Sequence, residues 1–256
     1  MKLSVSSLYF KALQVNDLYN LKKMGIDGLE LVLYHQFGTY DLSIEMKKFK
    51  SDLDNNNLAI SGIQGFTFWP KLNMKMDFLH FSLEWTNHLG RILKCANLFN
   101  TSRLIFGAPV FRNNLCDKNQ FEDAFYKTHD YLVSEGVNLL LEATPNVYGS
   151  VYLNTFDSVL QFNSKFDFLN HFDTGCYLNQ SDFAVGVNPV KDVICEHLHV
   201  SACNLGYLHK DPVLQKWLSD FNLPPSQDNY LVMEATLQLG DVLEIKKDID
   251  YILECI

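Results

Sequence analysis

Several common sequence signatures are missing from this 256-residue chain, and their absence excludes whole classes of protein. Its six cysteines are scattered, with no CxxC pair, which fits reduced thiols in a cytoplasmic enzyme better than a disulfide framework. The first residues contain no apolar core of a signal peptide, and no apolar run reaches the length of a membrane span. We therefore expect a cytoplasmic protein with no membrane partner.

Basic charge is also scarce. The 21 lysines and arginines are outnumbered by 30 aspartates and glutamates, which gives a formal net charge of -9. This balance argues against a broad basic face that grips nucleic acid, so we expect no nucleic-acid partner. No linker, low-complexity tract or block of like charge marks a boundary. Residues 1–256 are therefore expected to form a single domain.

Short apolar runs alternate with segments of helical spacing eight times along the chain. The predicted strands are residues 3–7, 29–33, 58–63, 103–106, 137–141, 168–172, 196–200 and 230–233. Strict alternation predicts a parallel sheet, and eight repeats predict a closed (β/α)8 TIM barrel of the α/β class. A doubly wound open sheet is the alternative, but no GxGxxG motif follows the first strand.

The helical segments between these strands have recognisable inward faces. Residues 41–56 are predicted to form a helix with Ile44, Phe49 and Leu53 inward, and residues 76–99 to form the longest helix. A brief helix is predicted near 189–195, and an amphipathic helix over 241–256 with Asp241 as its cap. Further helices are predicted near 119–134, 155–162 and 212–221.

Four of the predicted strands end in residues that can bind a metal: Glu142, Asp173, His199 and Glu234. They are 31, 26 and 35 residues apart, about one barrel repeat each. In a barrel such strand ends meet at one rim, and three carboxylates held together there would repel unless a divalent cation neutralised them. One nitrogen and three oxygen ligands suit Mn2+, Mg2+, Co2+ or Zn2+. Taken singly, each residue also fits a solvated loop, a turn or the core.

The residues around these positions resemble the xylose-isomerase-like TIM-barrel superfamily, which includes sugar-phosphate isomerases and epimerases, ketose 3-epimerases and the endonuclease IV type. The matching segments are Gly28-Leu29-Glu30, Leu141-Glu142, Phe172-Asp173-Thr174-Gly175, His197-Leu198-His199-Val200-Ser201 and Met233-Glu234. The resemblance implies that Glu142, Asp173, His199 and Glu234 bind one divalent metal. Mn2+ is the expected ion, with Mg2+, Co2+ or Zn2+ as alternatives.

A closer resemblance is to a less characterised branch of this superfamily, often found among polysaccharide and nucleotide-sugar genes. It rests on residues 3–6, 103–109 and 145–149. The chain departs from many relatives at three places. Cys176 stands where they have histidine, Ala202 where they have an acid, and Leu205 where ketose epimerases have arginine. The metal ligands are thus retained while part of the substrate-binding set has changed.

The resemblance implies an isomerase or epimerase that acts on a small polyhydroxylated carbonyl compound. Glu142 and Glu234 are the candidates to remove and return a carbon-bound proton through an enediolate. The weaker candidates for substrate contact, each of which also fits an ordinary structural role, are His197, Asn146, Tyr148, Glu30, Gln64 and Arg112.

Two other functions stay open at this point. The run from Glu142 to Asn146 is similar to one in dehydroshikimate-dehydratase-like lyases. A barrel without turnover that binds a sugar or a partner protein is favoured by Cys176 and Ala202, but the intact ligand set counts against it. An endonuclease is the least favoured because of the acidic charge. A homodimer is one assembly that the sequence leaves open.

Overall fold

The structure, a computed structural model, describes residues 2–68, 74–113, 117–180, 189–190, 193–220, 230–236 and 242–255. Eight parallel strands form one sheet in the order β5-β4-β3-β2-β1-β8-β7-β6. A single parallel bridge between Leu141 and Asn170 joins the two outer strands, so that the sheet curls into a nearly closed barrel. The predicted (β/α)8 TIM barrel is confirmed.

The strands are short and almost entirely buried. Their bounds are β1 Lys2–Ser6, β2 Gly28–Val32, β3 Ala59–Gln64, β4 Arg103–Phe106, β5 Asn138–Leu141, β6 His171–Asp173, β7 His197–Ser201 and β8 Tyr230–Glu234. Successive side chains of a strand point to opposite faces. In β7 the apolar Leu198 and Val200 therefore share one face, while His197, His199 and Ser201 share the other. Polar side chains from several strands accordingly meet inside the barrel.

Ten helices are described around the barrel. They are α1 Val15–Lys23, α2 Leu33–Phe37, α3 Ile44–Asn55, α4 Met74–Leu79, α5 Leu83–Phe99, α6 Lys118–Ser134, α7 Phe156–Phe166, α8 Thr174–Leu178, α9 Pro212–Asp220 and α10 Val242–Cys255. Within this part of the chain no helix combines the length and apolar character needed to cross a membrane. The cytoplasmic location stays a prediction.

The prediction of one long helix over residues 76–99 was wrong. The segment is broken between α4 and α5, where Phe81 has a left-handed backbone with φ of 47°. The hydroxyl of Ser82 then accepts a hydrogen bond from the backbone N–H of Trp85 and starts a new helix. A serine cap outweighs the continuous apolar spacing because it pairs a backbone donor that the first turn leaves free. Leu83 is consequently exposed.

The prediction that Ile44 faces inward was also wrong. Ser43 caps α3 by accepting from the backbone N–H of Met46, so that Ile44 occupies the first turn and is 82% exposed. Met46 takes the inward place in its stead. Phe49 and Leu53 are buried as expected, and the three buried residues follow helical spacing from that corrected start.

Two other predicted helices fall partly outside the residues that the structure describes. In the segment 189–195, Pro189 and Val190 form a turn and residues 193–195 are not helical, while 191–192 lie outside the described residues. Asp241, the predicted cap of the last helix, also lies outside them. The sixth strand begins at His171, later than predicted, and includes Asp173.

An aromatic cluster beneath the loops after β3 and β4 supports this side of the barrel. Phe106, fully buried at the end of β4, has its ring centroid 5.4–6.3 Å from those of five neighbours. These are Phe66, Phe78, Phe111, Phe121 and Phe125. Aromatic pairs at such distances add to the free energy already gained from burying apolar area. The cluster connects β4 to α4, α6 and the following loop.

We expect Phe106→Ala to destabilise the protein by about 3–5 kcal/mol, because it removes a fully buried ring and leaves a cavity. The exposed Ile44→Ala is the control and should change the free energy of unfolding by less than about 0.5 kcal/mol. Urea unfolding of both variants provides the measurement. A loss below 1 kcal/mol for Phe106→Ala would show that the cluster does not support the fold in this way.

Candidate metal centre

Four side chains that the sequence singled out meet at the carboxyl ends of the strands. Glu142 follows β5, Asp173 ends β6, His199 lies within β7 and Glu234 ends β8. One ligand atom from each lies within 4.8 Å of the others. The barrel therefore brings together residues that are up to 92 positions apart in the chain, as expected for strand ends on one rim.

His199 occupies the floor of this group, and its Nδ1 atom faces the three acids. Nδ1 lies 3.1 Å from Oε2 of Glu234, 3.8 Å from Oε1 of Glu142 and 3.9 Å from Oδ2 of Asp173. The ring is completely buried. Nδ1 is thus the atom through which His199 could bind an ion shared with the carboxylates.

The opposite edge of the His199 ring is held by Glu30 from β2. Nε2 of His199 lies 2.9 Å from Oε1 of Glu30, and Nε2 of His197 lies 2.5 Å from Oε2 of the same carboxylate. Burial alone would raise the pKa of Glu30, but His199 and His197 outweigh it and hold that pKa below its ordinary value. Burial likewise opposes the charged form of His199, yet Glu30 and Glu234 hold its pKa well above the ordinary value.

Asp173 is fixed at both oxygens. The hydroxyl of Ser201 donates to Oδ2 at 2.8 Å, and the backbone N–H of Cys176 donates to Oδ1 at 2.5 Å. Burial, reinforced by the neighbouring Glu142 and Glu234, raises the pKa of Asp173 to about 7. The carboxylate is therefore fixed in its orientation, but its charged form is disfavoured unless a cation lies nearby.

Glu142 stands at the edge of the cavity, with 14% of its side chain exposed. Gly107, at the end of β4, makes room for it, because a Cβ atom there would collide with Oε2 of Glu142. Burial and the neighbouring Glu234 raise the pKa of Glu142 to about 7. Three converging acids, of which two hold their protons near neutral pH, form a donor set that fits a divalent cation.

A cavity of about 460 Å³ opens above these side chains. Glu142, Asp173 and Glu234 form one side of it, and Gln64 and Tyr148 are the two other predicted residues that line it. The remaining lining residues are mostly apolar or carry neutral hydroxyls: Leu8, Gly65, Thr67, Phe68, Ile105, Gly107, Ala108, Pro109, Thr144, Cys176, Ser201, Leu205 and Thr236.

Four predicted substrate residues lie away from the cavity wall. Glu30 and His197 are buried beneath it, paired with each other. Asn146 is exposed and accepts a hydrogen bond from the side chain of Asn154. Arg112 is fully buried, and its guanidinium donates to the carbonyl oxygens of Glu142 and Leu153 at 3.0 Å each. Arg112 thereby supports the loop that carries Glu142. Substrate contact by these four residues stays a prediction.

Two residues near the centre were missed by the sequence analysis. His171 lies on β6 two positions before Asp173, and Ser201 lies on β7 two positions after His199. The same two-residue alternation that pairs His197 with His199 would have placed both on the inner face. Burial, together with the neighbouring His199, lowers the pKa of His171 to about 3. The ring is therefore neutral at physiological pH.

No family model and no curated protein matches the sequence. Solved structures do match over nearly the whole chain. A D-psicose 3-epimerase from Clostridium cellulolyticum H10, crystallised with D-tagatose, is 15% identical with a TM-score of 0.66, covering 99% of this chain and 97% of that one. A xylose isomerase domain containing protein from Salmonella typhimurium LT2 is 13% identical with a TM-score of 0.68, covering 99% and 96%.

A third match has different chemistry on the same fold. The probable 3-DHS dehydratase involved in petrobactin synthesis from Bacillus anthracis is 14% identical with a TM-score of 0.65, covering 99% of both chains. Identities this low show the fold and leave the reaction open. The chain thus has the fold of xylose-isomerase-like TIM barrels, as the sequence motifs predicted, with a buried cluster of acids and histidine consistent with a divalent metal site.

Proposed function

We propose that this chain is a divalent-metal-dependent isomerase or epimerase of a small polyhydroxylated carbonyl compound. The observation that carries the proposal is the position of Glu142 and Glu234. Both carboxylates line the same cavity, and both belong to the group whose ligand atoms lie within 4.8 Å of one another. They approach from β5 and β8, on different sides of the rim, which suits removal of a proton from one side of a substrate carbon and its return.

Glu142, Asp173, His199 and Glu234 would hold the ion. When bound, a divalent cation supplies positive charge that orients adjacent substrate oxygens and stabilises the negative charge left when a carbon-bound proton departs. Glu142 or Glu234 accepts that proton, and the same or the other carboxylate gives it back. A carboxyl group whose pKa lies near 7, as for Glu142, is suited to both transfers because neither protonation state is strongly favoured.

The cavity wall supports a neutral substrate. Among its described lining residues there is no lysine or arginine, so the part of the wall that the structure describes offers no cation for a phosphate group. The hydroxyls of Thr67, Tyr148 and Thr236 and the amide of Gln64, which line the cavity, suit the hydroxyl groups of a sugar. We therefore favour an unphosphorylated sugar over its phosphate.

A metal-dependent lyase is the second candidate. It is supported by the structural likeness to a probable 3-DHS dehydratase and by the Glu142-to-Asn146 run. In this structure Asn146 is turned outward and bonded to Asn154, which weakens that part of the resemblance. The third candidate is a barrel that binds a sugar without catalysing a reaction. It would bind the ion, as the other two would, but it would transfer no proton.

The first of three predictions from this proposal separates the two histidines of the HxH motif. His199→Ala should weaken binding of Mn2+ far more than His197→Ala, because only His199 turns a ring nitrogen toward the three acids. His197 acts through Glu30, and losses from such supporting residues are about 10–100-fold. Isothermal titration of both variants measures this. Each variant removes one partner of Glu30, so each serves as the folding control for the other. Equal losses of Mn2+ affinity in the two variants would refute the assignment of His199 as the ligand.

The second prediction concerns pH. Protons held by the carboxyls of Glu142 and Asp173, whose pKa burial and the neighbouring acids raise to about 7, must leave before an ion binds. The affinity for Mn2+ should therefore fall as pH is lowered from 8 to 6, by about tenfold over the whole range for each of the two carboxyls, because a group with a pKa near 7 passes from mostly ionised to mostly protonated across it. His199, whose pKa is raised well above its ordinary value, must also give up a proton before Nδ1 can bind an ion, so it adds a dependence of the same sign that continues above pH 8. Calorimetric titrations with Mn2+ across this range, in buffers of different ionisation enthalpy, count the released protons. An affinity that does not change with pH would contradict the raised pKa values of Glu142 and Asp173.

The third prediction tests the chemistry. Protein loaded with Mn2+ in deuterated water should place deuterium on a carbon of one compound from a panel of ketoses, their phosphates and dehydroshikimate. Glu142→Gln and Glu234→Gln should abolish exchange with the fold intact, while Glu135→Gln, a change at an exposed acid before β5, should not affect it. Loss of water from dehydroshikimate would support the lyase instead. If every compound returns unchanged although the ion is bound, the barrel without turnover becomes the better account.

A further inference from the structure

The cavity above the candidate metal centre has two chemically different halves. Among the described residues that line it, the charged ones are Glu142, Asp173 and Glu234, and all three come from strands β5 to β8. Strands β1 to β4 and the loops after them contribute no charged side chain to the described wall. This uncharged half is mainly apolar, with Gln64 and Thr67 as its polar side chains; the apolar members are Leu8, Phe68, Ile105, Ala108 and Pro109. A molecule in the cavity therefore faces carboxylates on one side and mostly apolar groups on the other.

Phe68 is the aromatic member of the uncharged half, and a turn after β3 fixes its position. The backbone N–H of Phe68 donates to the carbonyl oxygen of Gly65 at 3.1 Å, and Gly65 has a left-handed backbone with φ of 60°. The hydroxyl of the buried Tyr40 lies 3.0 Å from the carbonyl oxygen of Gly65 and 3.2 Å from that of Phe68, so it donates to this turn. A Cβ atom at residue 65 would come 2.8 Å from a carbon of the Phe68 ring, so the ring packs directly against the glycine. The ring is thus held in place before any ligand arrives.

The Phe68 ring stays largely uncovered in spite of this support. The residue is 60% exposed although it lines the cavity. A single exposed ring on an outer surface needs no explanation, but this ring shares a cavity with the candidate metal centre. Because the ring is already fixed, it loses little conformational freedom when a ligand covers it, and the burial of its face then contributes to affinity.

A small sugar with hydroxyl groups on every side matches only part of this wall. Hydroxyl groups placed against Leu8, Ile105 or Pro109 would lose their water without gaining a hydrogen-bond partner, which costs free energy. An apolar substituent at the same place gains free energy from burial instead. There is room for one, since the cavity of about 460 Å³ lies within the range of about 300–1,000 Å³ in which proteins bind drug-sized ligands.

We propose that the substrate of this site is a sugar with an O-linked alkyl or aryl group, and that this group lies in the uncharged half against Phe68. The inference rests on the proposed function and deepens it by naming the substrate class. The substrate oxygens that meet the ion lie at the charged side of the cavity, and the apolar group extends from the other end of the molecule. Phe68 is a specificity-determining residue in this arrangement and takes no part in the proton transfer.

The experiment compares free sugars with their apolar ethers. Wild-type protein loaded with Mn2+ is titrated calorimetrically with D-fructose, D-tagatose and D-allulose, and with the 6-O-benzyl ether of each. We expect at least one ether to bind at least about tenfold more tightly than its parent sugar, since a single methylene in an apolar pocket already gains about 10–200-fold. Binding of that ether should also have the more negative change in heat capacity, because it buries apolar surface. If no ether binds more tightly than its parent sugar, the inference is overturned.

Variants of the ring identify the contact. Phe68→Ser should abolish the preference for the ether, whereas Phe68→Tyr should retain it. The matched control is Val110→Ser, because Val110 is 62% exposed on the loop after β4 but is not among the described residues that line the cavity. This control should retain the preference. A loss of Mn2+ affinity in Phe68→Ser as large as the loss of ether affinity would show that the ring supports the ion site rather than the ligand, and would overturn the inference.

Proton exchange in deuterated water keeps the two proposals apart. If a free ketose exchanges a proton but no ether is preferred, the inference fails and the proposed function stands. If an ether is preferred through Phe68 but no compound exchanges a proton, the apolar recognition stands and the proposed catalysis fails. If neither the sugars nor their ethers bind to the Mn2+-loaded protein, both fail.

Discussion

One buried carboxylate determines the arrangement of the centre. Glu30 reaches from β2 across the barrel to His197 and His199 on β7, with no exposure of any of the three side chains. Gly62 on the adjacent strand makes space for it, since a Cβ there would come 3.1 Å from Oε2 of Glu30. Removing one partner of such a buried pair typically costs about 3–5 kcal/mol. This pairing turns Nδ1 of His199 toward the rim, where the acids converge.

The three positions at which the sequence departs from the motifs it resembles all lie near the rim. Cys176 and Leu205 line the cavity, and Ala202 is fully buried beside them. Leu205 has a left-handed backbone with φ of 53°, so it belongs to a tight turn after β7. The side of the cavity near β6 and β7 is therefore less polar than it would be with histidine and arginine at these positions. Under the proposed function, substrate recognition would then fall to the other polar groups of the wall, among them Gln64 and Tyr148, and to the ion.

The barrel and the meeting of Glu142, Asp173, His199 and Glu234 at one rim were predictable because both follow from patterns in the sequence. Strand alternation and the spacing of Glu142, Asp173, His199 and Glu234 need no knowledge of contacts. Other features depend on local competition and on long-range contacts, which the apolar spacing of the sequence does not reveal. The break at Ser82 is a competition between a cap and apolar spacing, and the burial of Arg112 is determined by carbonyl groups from two separate loops. His171 was detectable from alternation alone, but a lone histidine before Asp173 is also what an ordinary core position looks like.

The three acids differ in how tightly they are held, and under the proposed function this difference would separate their roles. Asp173 accepts a hydrogen bond at each oxygen, from Ser201 and from the backbone of Cys176, so it can orient an ion but has little freedom to move. Glu234 is anchored at Oε2, which lies 3.1 Å from His199. No hydrogen bond from the described residues reaches the carboxylate of Glu142, although Arg112 and Gly107 fix the backbone and the space around it. Glu142 is thus the least constrained of the three acids, and under the proposed function it would be the one best able to approach a substrate carbon and exchange a proton with it.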